Sequence, residues 1–406
     1  MTLSRRAFLR TVGPGAGAMS PAFITARGRE ALEGEFGSLA SPFIPPPDAD
    51  EIRISSNENP LGPGPSAVSA IRENLAESNR YPMNSRITDT MVANRIGTMF
   101  GAKRENVVLA PGSTEVLRNS IRAFCGPDRP LVSGECSYEN PVRDAEYFGI
   151  PVKTVAMRDD LGLDLDKMAG AALGAGLVFL CNPNNPTGTA HGRTAISDFV
   201  RYVSKESPYT YVLIDEAYND YVTDPNYSSG AEFALKYRNV FISRTFSKAF
   251  GMAGLRQGYA LGGKETIAKL APYKLTFGTN VLGLAAVSAS LDDPAHLTKE
   301  VARNAEVRKY TLDFFRNAGY WATDSQTNFI FVKTNMPAKQ FREGCAKFKV
   351  QVGRDFPPYE KTHARISIGT MDEMKRATEV FRQVLGTAPT DAGPNPQGAR
   401  GPQGKI

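Results

Sequence analysis

The chain has 406 residues, 41% hydrophobic and 22% charged, with a formal net charge of +6 and a pI of about 9.0. The composition is that of a soluble globular protein, and the length exceeds what one core usually fills, so two domains are expected. The basic residues are scattered, with no Lys/Arg block, zinc-finger spacing or RNA-binding signature, which argues against nucleic acid as a partner. Cys125, Cys136, Cys181 and Cys345 form no CxxC pair and read as small core residues. His191, His296 and His363 are the only histidines. They are far apart, so no metal site and no Ser-His-Asp triad is expected.

In chain order, the first feature is Ser4-Arg5-Arg6-Ala7-Phe8-Leu9-Arg10, followed by a weakly apolar, Gly- and Ala-rich stretch from Thr11 to Ala26. Paired arginines, then Phe-Leu, then a modest hydrophobic region resemble a twin-arginine export signal. The stretch is too short and too polar for a transmembrane helix. The expected mature start lies near residues 26 to 34. That route carries folded proteins, which suits a chain without a disulfide pattern bound for an oxidising periplasm. A cytoplasmic protein with a fortuitous Arg-Arg start is the other reading.

Val107-Val108-Leu109-Ala110 predicts a strand, and a helix from Ser113 to Phe124 should follow, with Ser113 or Thr114 near its cap. Leu177 to Cys181 and Tyr211 to Ile214 are continuous apolar runs, as in strands buried on both faces of a parallel sheet. Val240 to Ser243 is another. This alternation predicts an α/β domain with helices on both faces and ligands at the carboxyl ends of its strands. A long helix from about His296 to Asn317, then strands at Asn328 to Val332 and Ala364 to Ile368, predict a smaller C-terminal α+β domain. Gly386 to Ile406 is rich in Pro, Gly, Gln and Asn and reads as disordered. The expected organisation is a signal and linker at 1–33, an N-terminal arm at 34–80, a large domain at 81–285, a small domain at 286–385 and a tail at 386–406. No internal repeat is evident.

One lysine stands out. Lys248 sits among Phe246, Ala249, Phe250 and Met252, with Arg256 eight positions on. An unpaired buried ammonium is costly. Either its head snorkels to water, or desolvation lowers its pKa and leaves a nucleophilic amine suited to a Schiff base. Polar residues follow the other strands too. Gly112-Ser113-Thr114 opens a helix, where free N–H groups can seat a phosphate. Asn182-Pro183-Asn184-Asn185-Pro186-Thr187-Gly188 and Asp215-Glu216-Ala217-Tyr218 close two others.

Together with Ser56-Asn57-Glu58-Asn59-Pro60-Leu61-Gly62-Pro63, Arg80-Tyr81-Pro82, Ala110-Pro111 and Ala364-Arg365-Ile366-Ser367-Ile368-Gly369-Thr370, these segments resemble the class I/II aminotransferases that use pyridoxal 5′-phosphate (PLP). Among these the histidinol-phosphate aminotransferase type is the most similar. The resemblance spans roughly residues 50 to 385 in the family's order. It implies the fold type I architecture, with 81–285 as the cofactor-binding domain, and a homodimer with shared sites.

The resemblance also implies roles. Lys248 would be the Schiff-base lysine and proton carrier, and Asp215 the partner of the pyridine nitrogen. Tyr218 and Asn185 would bind the phenolic oxygen, and Tyr138 would stack on the ring. Gly112, Ser113, Thr114, Thr245, Ser247 and Arg256 would hold the phosphate, and Tyr81 would reach the neighbouring subunit's phosphate. Arg365 would clamp the substrate carboxylate, with Asn328 and Asn57 nearby. Arg354, in Val352-Gly353-Arg354-Asp355-Phe356-Pro357-Pro358, lies where an arginine meets an acidic substrate tail. The implied reaction moves an amino group from an L-amino acid, or an amino acid-like phosphate, to a 2-oxo acid. The Phe-Pro-Pro run and the export signal depart from a biosynthetic histidinol-phosphate enzyme. The same residues support decarboxylation or elimination, and a non-catalytic cofactor- or ligand-binding protein is the reading of another class.

Overall fold

The described residues of the computed structural model are 50–386. The export signal, the start of the expected arm and the C-terminal tail lie outside them. The strands are β1 (Ile52–Ile54), β2 (Val107–Ala110), β3 (Leu131–Gly134), β4 (Val152–Val155), β5 (Leu177–Cys181), β6 (Tyr211–Asp215), β7 (Val240–Thr245), β8 (Gly258–Gly262), β9 (Phe329–Lys333), β10 (Val350–Val352) and β11 (His363–Ser367).

Seven of them form one sheet in the order β2-β8-β7-β6-β5-β3-β4. Only β8 runs against its neighbours; the other pairings are parallel. Successive side chains of a strand point to opposite faces, and the two faces carry separate cores. Val178, Leu180, Val212, Ile214, Val240 and Ile242 pack on one side. There they meet Ile196, Phe199 and Val203 of the helix Arg193–Glu206 and Val92 and Ile96 of the helix Asp89–Met99. Leu177, Phe179, Leu213 and Phe241 face the other way, onto Val116, Leu117, Ile121 and Phe124 of the helix Ser113–Phe124. That two-sided burial is why the central strands run apolar up to their carboxyl ends, where Asp215 closes β6 and Ser243, Arg244 and Thr245 close β7. The expected doubly covered, mostly parallel sheet is what the chain forms.

Three strands of this sheet escape the sequence pattern. β4 alternates Val with exposed Lys153 and Thr154. β3 and β8 end in glycine or are flanked by it. The helix expected to begin under a Ser113 or Thr114 cap instead has Gly112 as its N-cap, with no side-chain cap.

A third core gathers Phe315, Ile330, Val332, Phe341, Ile366 and Phe381 with Ile52 and Ile54. β9 and β11 pair antiparallel within it, and the N-terminal β1 pairs parallel with β10. The segment expected as an arm is therefore stitched, at its strand, to the C-terminal part of the chain. This brings residues 55–58 over the carboxyl ends of the large sheet.

Candidate active site

One cavity of about 560 Å³ opens at those strand ends. Lys248, Asp215, Tyr218, Asn185, Tyr138, Ser113, Thr114, Thr245, Ser247, Arg256, Asn57, Arg354 and Arg365 all line it. Residues from β2, β5, β6 and β7 converge because parallel strands place all their carboxyl ends along one edge.

Asp215 is the last residue of β6, in register with Cys181 of β5 and Ser243 of β7. The Ser243 hydroxyl donates to Asp215 Oδ1 at 2.6 Å. Burial raises the Asp215 pKa to about 6, against the opposing effects of that hydrogen bond and of Lys248. Lys248 follows β7. Its Nζ donates to the carbonyl oxygens of Asn57 at 3.0 Å and Ser56 at 3.4 Å, and lies 5.6 Å from the centre of the Tyr218 ring. Burial, then the charge of Arg365, pulls the Lys248 pKa down to about 8. The lysine thus sits near the point where its amine loses its proton, with no carboxylate paired to it among the described residues.

Tyr218 is buried, and its hydroxyl accepts from Asn57 Nδ2 at 3.0 Å. Burial pushes that phenol well up. Asn57 has a φ of 56°, a left-handed conformation that asparagine tolerates better than most residues. Ser367 of β11 holds it: its Oγ donates to Asn57 Oδ1 at 2.7 Å and accepts from Asn57 N at 2.9 Å.

At the other end of the cavity the helix Ser113–Phe124 presents its uncapped start. Beside it Thr245 Oγ1 donates to Ser247 Oγ at 2.8 Å, and Arg256 Nη1 reaches the same oxygen at 3.4 Å. Gly112 has a φ of +87°, and a Cβ there would come within 2.3 Å of Arg256 Nη2. Glycine is required at that position for both conformation and space. Free N–H groups, hydroxyls and a guanidinium make an anion seat.

Arg365 is buried on β11, yet forms no ion pair among the described residues. It donates to Asn185 Oδ1 at 2.8 Å and to the Ser55 carbonyl at 2.7 Å. Its Nε is buried without a partner. An orphaned buried donor on an unneutralised guanidinium is where a carboxylate would be welcome.

The chain matches the family model "Aminotransferase class I and II" over residues 49–381. It is 34% identical to the histidinol-phosphate aminotransferase of Moorella thermoacetica, over 83% of this chain and 86% of that one. The chain belongs to this family of aminotransferases. Its fold resembles a candidate histidinol-phosphate aminotransferase from Erwinia carotovora atroseptica, with a TM-score of 0.78 at 32% identity, covering 84% of this chain and 98% of that one. It also resembles the histidinol-phosphate aminotransferase of Sinorhizobium meliloti in complex with pyridoxal 5′-phosphate, with a TM-score of 0.75 at 24% identity, covering 95% and 98%.

For an aminotransferase the donor set fits PLP. The anion seat suits its phosphate, buried Asp215 suits a ring N–H, and the Lys248 amine suits its aldehyde. Two expected residues stand behind the wall. Gly112 backs Arg256, and Asn328 Nδ2 donates to the carbonyls of Asn57 at 3.0 Å and Glu58 at 3.4 Å. Tyr81 is not a lining residue; it is 61% exposed and stacks on Phe277 at 4.5 Å. Sequence reasoning missed Ser243, the Ser55 and Ser56 carbonyls, Ser367, Arg342 and Glu139. Ser243, one residue from an expected strand end, was within reach. Main-chain carbonyls carry no side-chain signal at all.

Proposed function

We propose that the chain is a PLP-dependent aminotransferase that moves the amino group of an L-amino acid, or of an amino acid-like phosphate such as histidinol phosphate, to a 2-oxo acid. The reading rests chiefly on one juxtaposition: a neutralisable lysine, a buried carboxylate and an unpaired arginine share one cavity. When bound, PLP withdraws electrons and so accommodates the charge left at the substrate Cα as a bond to it breaks. Ser113, Thr114, Thr245, Ser247 and Arg256 hold the phosphate. Asp215, fixed by Ser243 at the end of β6, would pair with the pyridine nitrogen and keep it protonated. Arg365 binds the substrate α-carboxylate and fixes which Cα bond faces the ring. Lys248 would take the proton from the substrate Cα and hand it on, a transfer helped by its lowered pKa. Tyr218, held by Asn57, and Asn185, whose amide nitrogen has no other partner among the described residues, bind the phenolic oxygen.

The test is product analysis. The PLP-loaded protein, given a panel of L-amino acids and a 2-oxo acid, should form the donor's oxo acid and the acceptor's amino acid in equal amounts. Release of carbon dioxide or ammonia instead, without need of an acceptor, would replace this reading with a decarboxylase or lyase.

Two further elements belong to the same reading. The Arg5-Arg6 start supports export through the twin-arginine machinery to the periplasm, which fractionation of Arg5→Lys/Arg6→Lys protein would test by its retention in the cytoplasm. Exposed Tyr81, Met83, Leu275 and Phe277 support a homodimer in which Tyr81 serves the neighbouring site. Light scattering of the full chain should return twice the monomer mass.

A further inference from the structure

Three guanidiniums face the substrate end of the cavity, and they are not equivalent. Arg342 pairs with Asp355 at 2.6 Å. Arg354 Nη2 pairs with Glu139 Oε1, which also lines the cavity. Arg365 alone has no carboxylate among the described residues. The Arg354 and Arg365 guanidiniums both lie on the Phe356 ring, at 4.4 and 4.6 Å from its centre, so the same ring positions the two. Glu139 is the N-cap of the helix Asn140–Tyr147, but its side chain does no capping. Its carboxylate oxygen is shared between Arg354 and, at 3.9 Å, Arg143 one turn into that helix. It follows Tyr138 directly, which ties it to the cofactor-side wall, whereas Arg354 comes from the loop after β10.

From this pairing we infer that Glu139 determines donor specificity by occupying Arg354. The inference rests on the aminotransferase reading of the cavity. A donor whose side chain ends in phosphate competes with Glu139 for Arg354, whose Nη1 donates to the Asp355 carbonyl at 3.1 Å, and lies beside that carboxylate whether or not it displaces it. Like charges brought together disfavour such a complex. A donor with a neutral side chain leaves the pair closed and meets no such conflict. One ending in an N–H group meets a carboxylate acceptor. Glu139 therefore shifts preference from doubly anionic side chains toward uncharged or basic ones. The pair can open, because its two side chains are 51% and 30% exposed and such pairs are weak.

The matched donors L-serine and O-phospho-L-serine differ only in the phosphate. For the PLP-loaded full chain, Glu139→Gln should raise the ratio of kcat/KM for phosphoserine over serine by about tenfold, mainly through KM. The double variant Glu139→Gln/Arg354→Gln should lose that gain, which a merely structural role would not explain. Calorimetry in a Lys248→Ala background, which lacks the proton carrier, gives a second readout without turnover: phosphoserine should bind the Glu139→Gln form about tenfold tighter than the form that keeps Glu139, with serine unchanged. An unmoved ratio and unmoved affinity, in protein that melts as wild type does, would overturn the assignment. A chain that shows the affinity shift but converts no amino donor would instead overturn the aminotransferase reading and leave Glu139 as a determinant of ligand binding alone.

Discussion

Asp215 and Arg354 line the same cavity, yet the protein holds them in different ways. Asp215 ends a central strand with neighbours in register on both sides, is 3% exposed, and is fixed by Ser243. Arg354 comes from a loop, is half-exposed, and is held by an ion pair and one ring. The cofactor side is built from the sheet and is rigid by construction. The substrate side is built from loops and exchangeable ion pairs. The difference explains how one scaffold can keep a fixed chemistry while its donor changes.

If the comparison is sound, substitutions on the two sides should differ by orders of magnitude. Lys248→Ala would remove both the proposed Schiff-base amine and the proposed proton carrier, and should lower kcat by about 10,000-fold, measured as oxo acid formation. Asp215→Asn cannot hold the ring proton by its charge, and should cost roughly 100- to 1,000-fold in kcat by the same assay. Gly112→Ala pushes a Cβ into Arg256 and should weaken PLP affinity about tenfold in an equilibrium titration, without changing the donor preference. On the loop side, Arg354→Gln should leave Tm within a few degrees of wild type, since a half-exposed pair contributes about 0–1 kcal/mol.

The pH dependence sharpens the same contrast. With its pKa drawn down to about 8 by burial, Lys248 is largely protonated below that pH and neutral above it. The rate of PLP capture should therefore rise with pH and level off above about 8, as followed by stopped-flow absorbance. An unperturbed lysine would still be gaining rate toward pH 10.

The same division decides what could be read from the sequence. The strands that lead into the cofactor side are runs of apolar residues because both faces are buried, so Leu177–Cys181 and residues 211–214 announce themselves. The polar residues after them then mark the site, and the resemblance supplies their roles. β4, with its exposed Lys153 and Thr154, lacks that signature. The loop side depends on contacts between distant segments. Arg354 meets Glu139 across 215 positions, and Arg365 meets the Ser55 carbonyl across 310. No local pattern encodes either contact. The pairing of β1 with β10 was hidden for the same reason, being three residues joined to a strand some three hundred positions away.

The most direct test is to load the full chain with PLP, reduce it with borohydride, and map the modified peptide by mass spectrometry. The account predicts a single phosphopyridoxyl group on Lys248, within the peptide running from Thr245 to Arg256, and none on Lys248→Ala. Absence of the label, or its appearance on another lysine such as Lys274, would contradict the assignment of this cavity as the catalytic site.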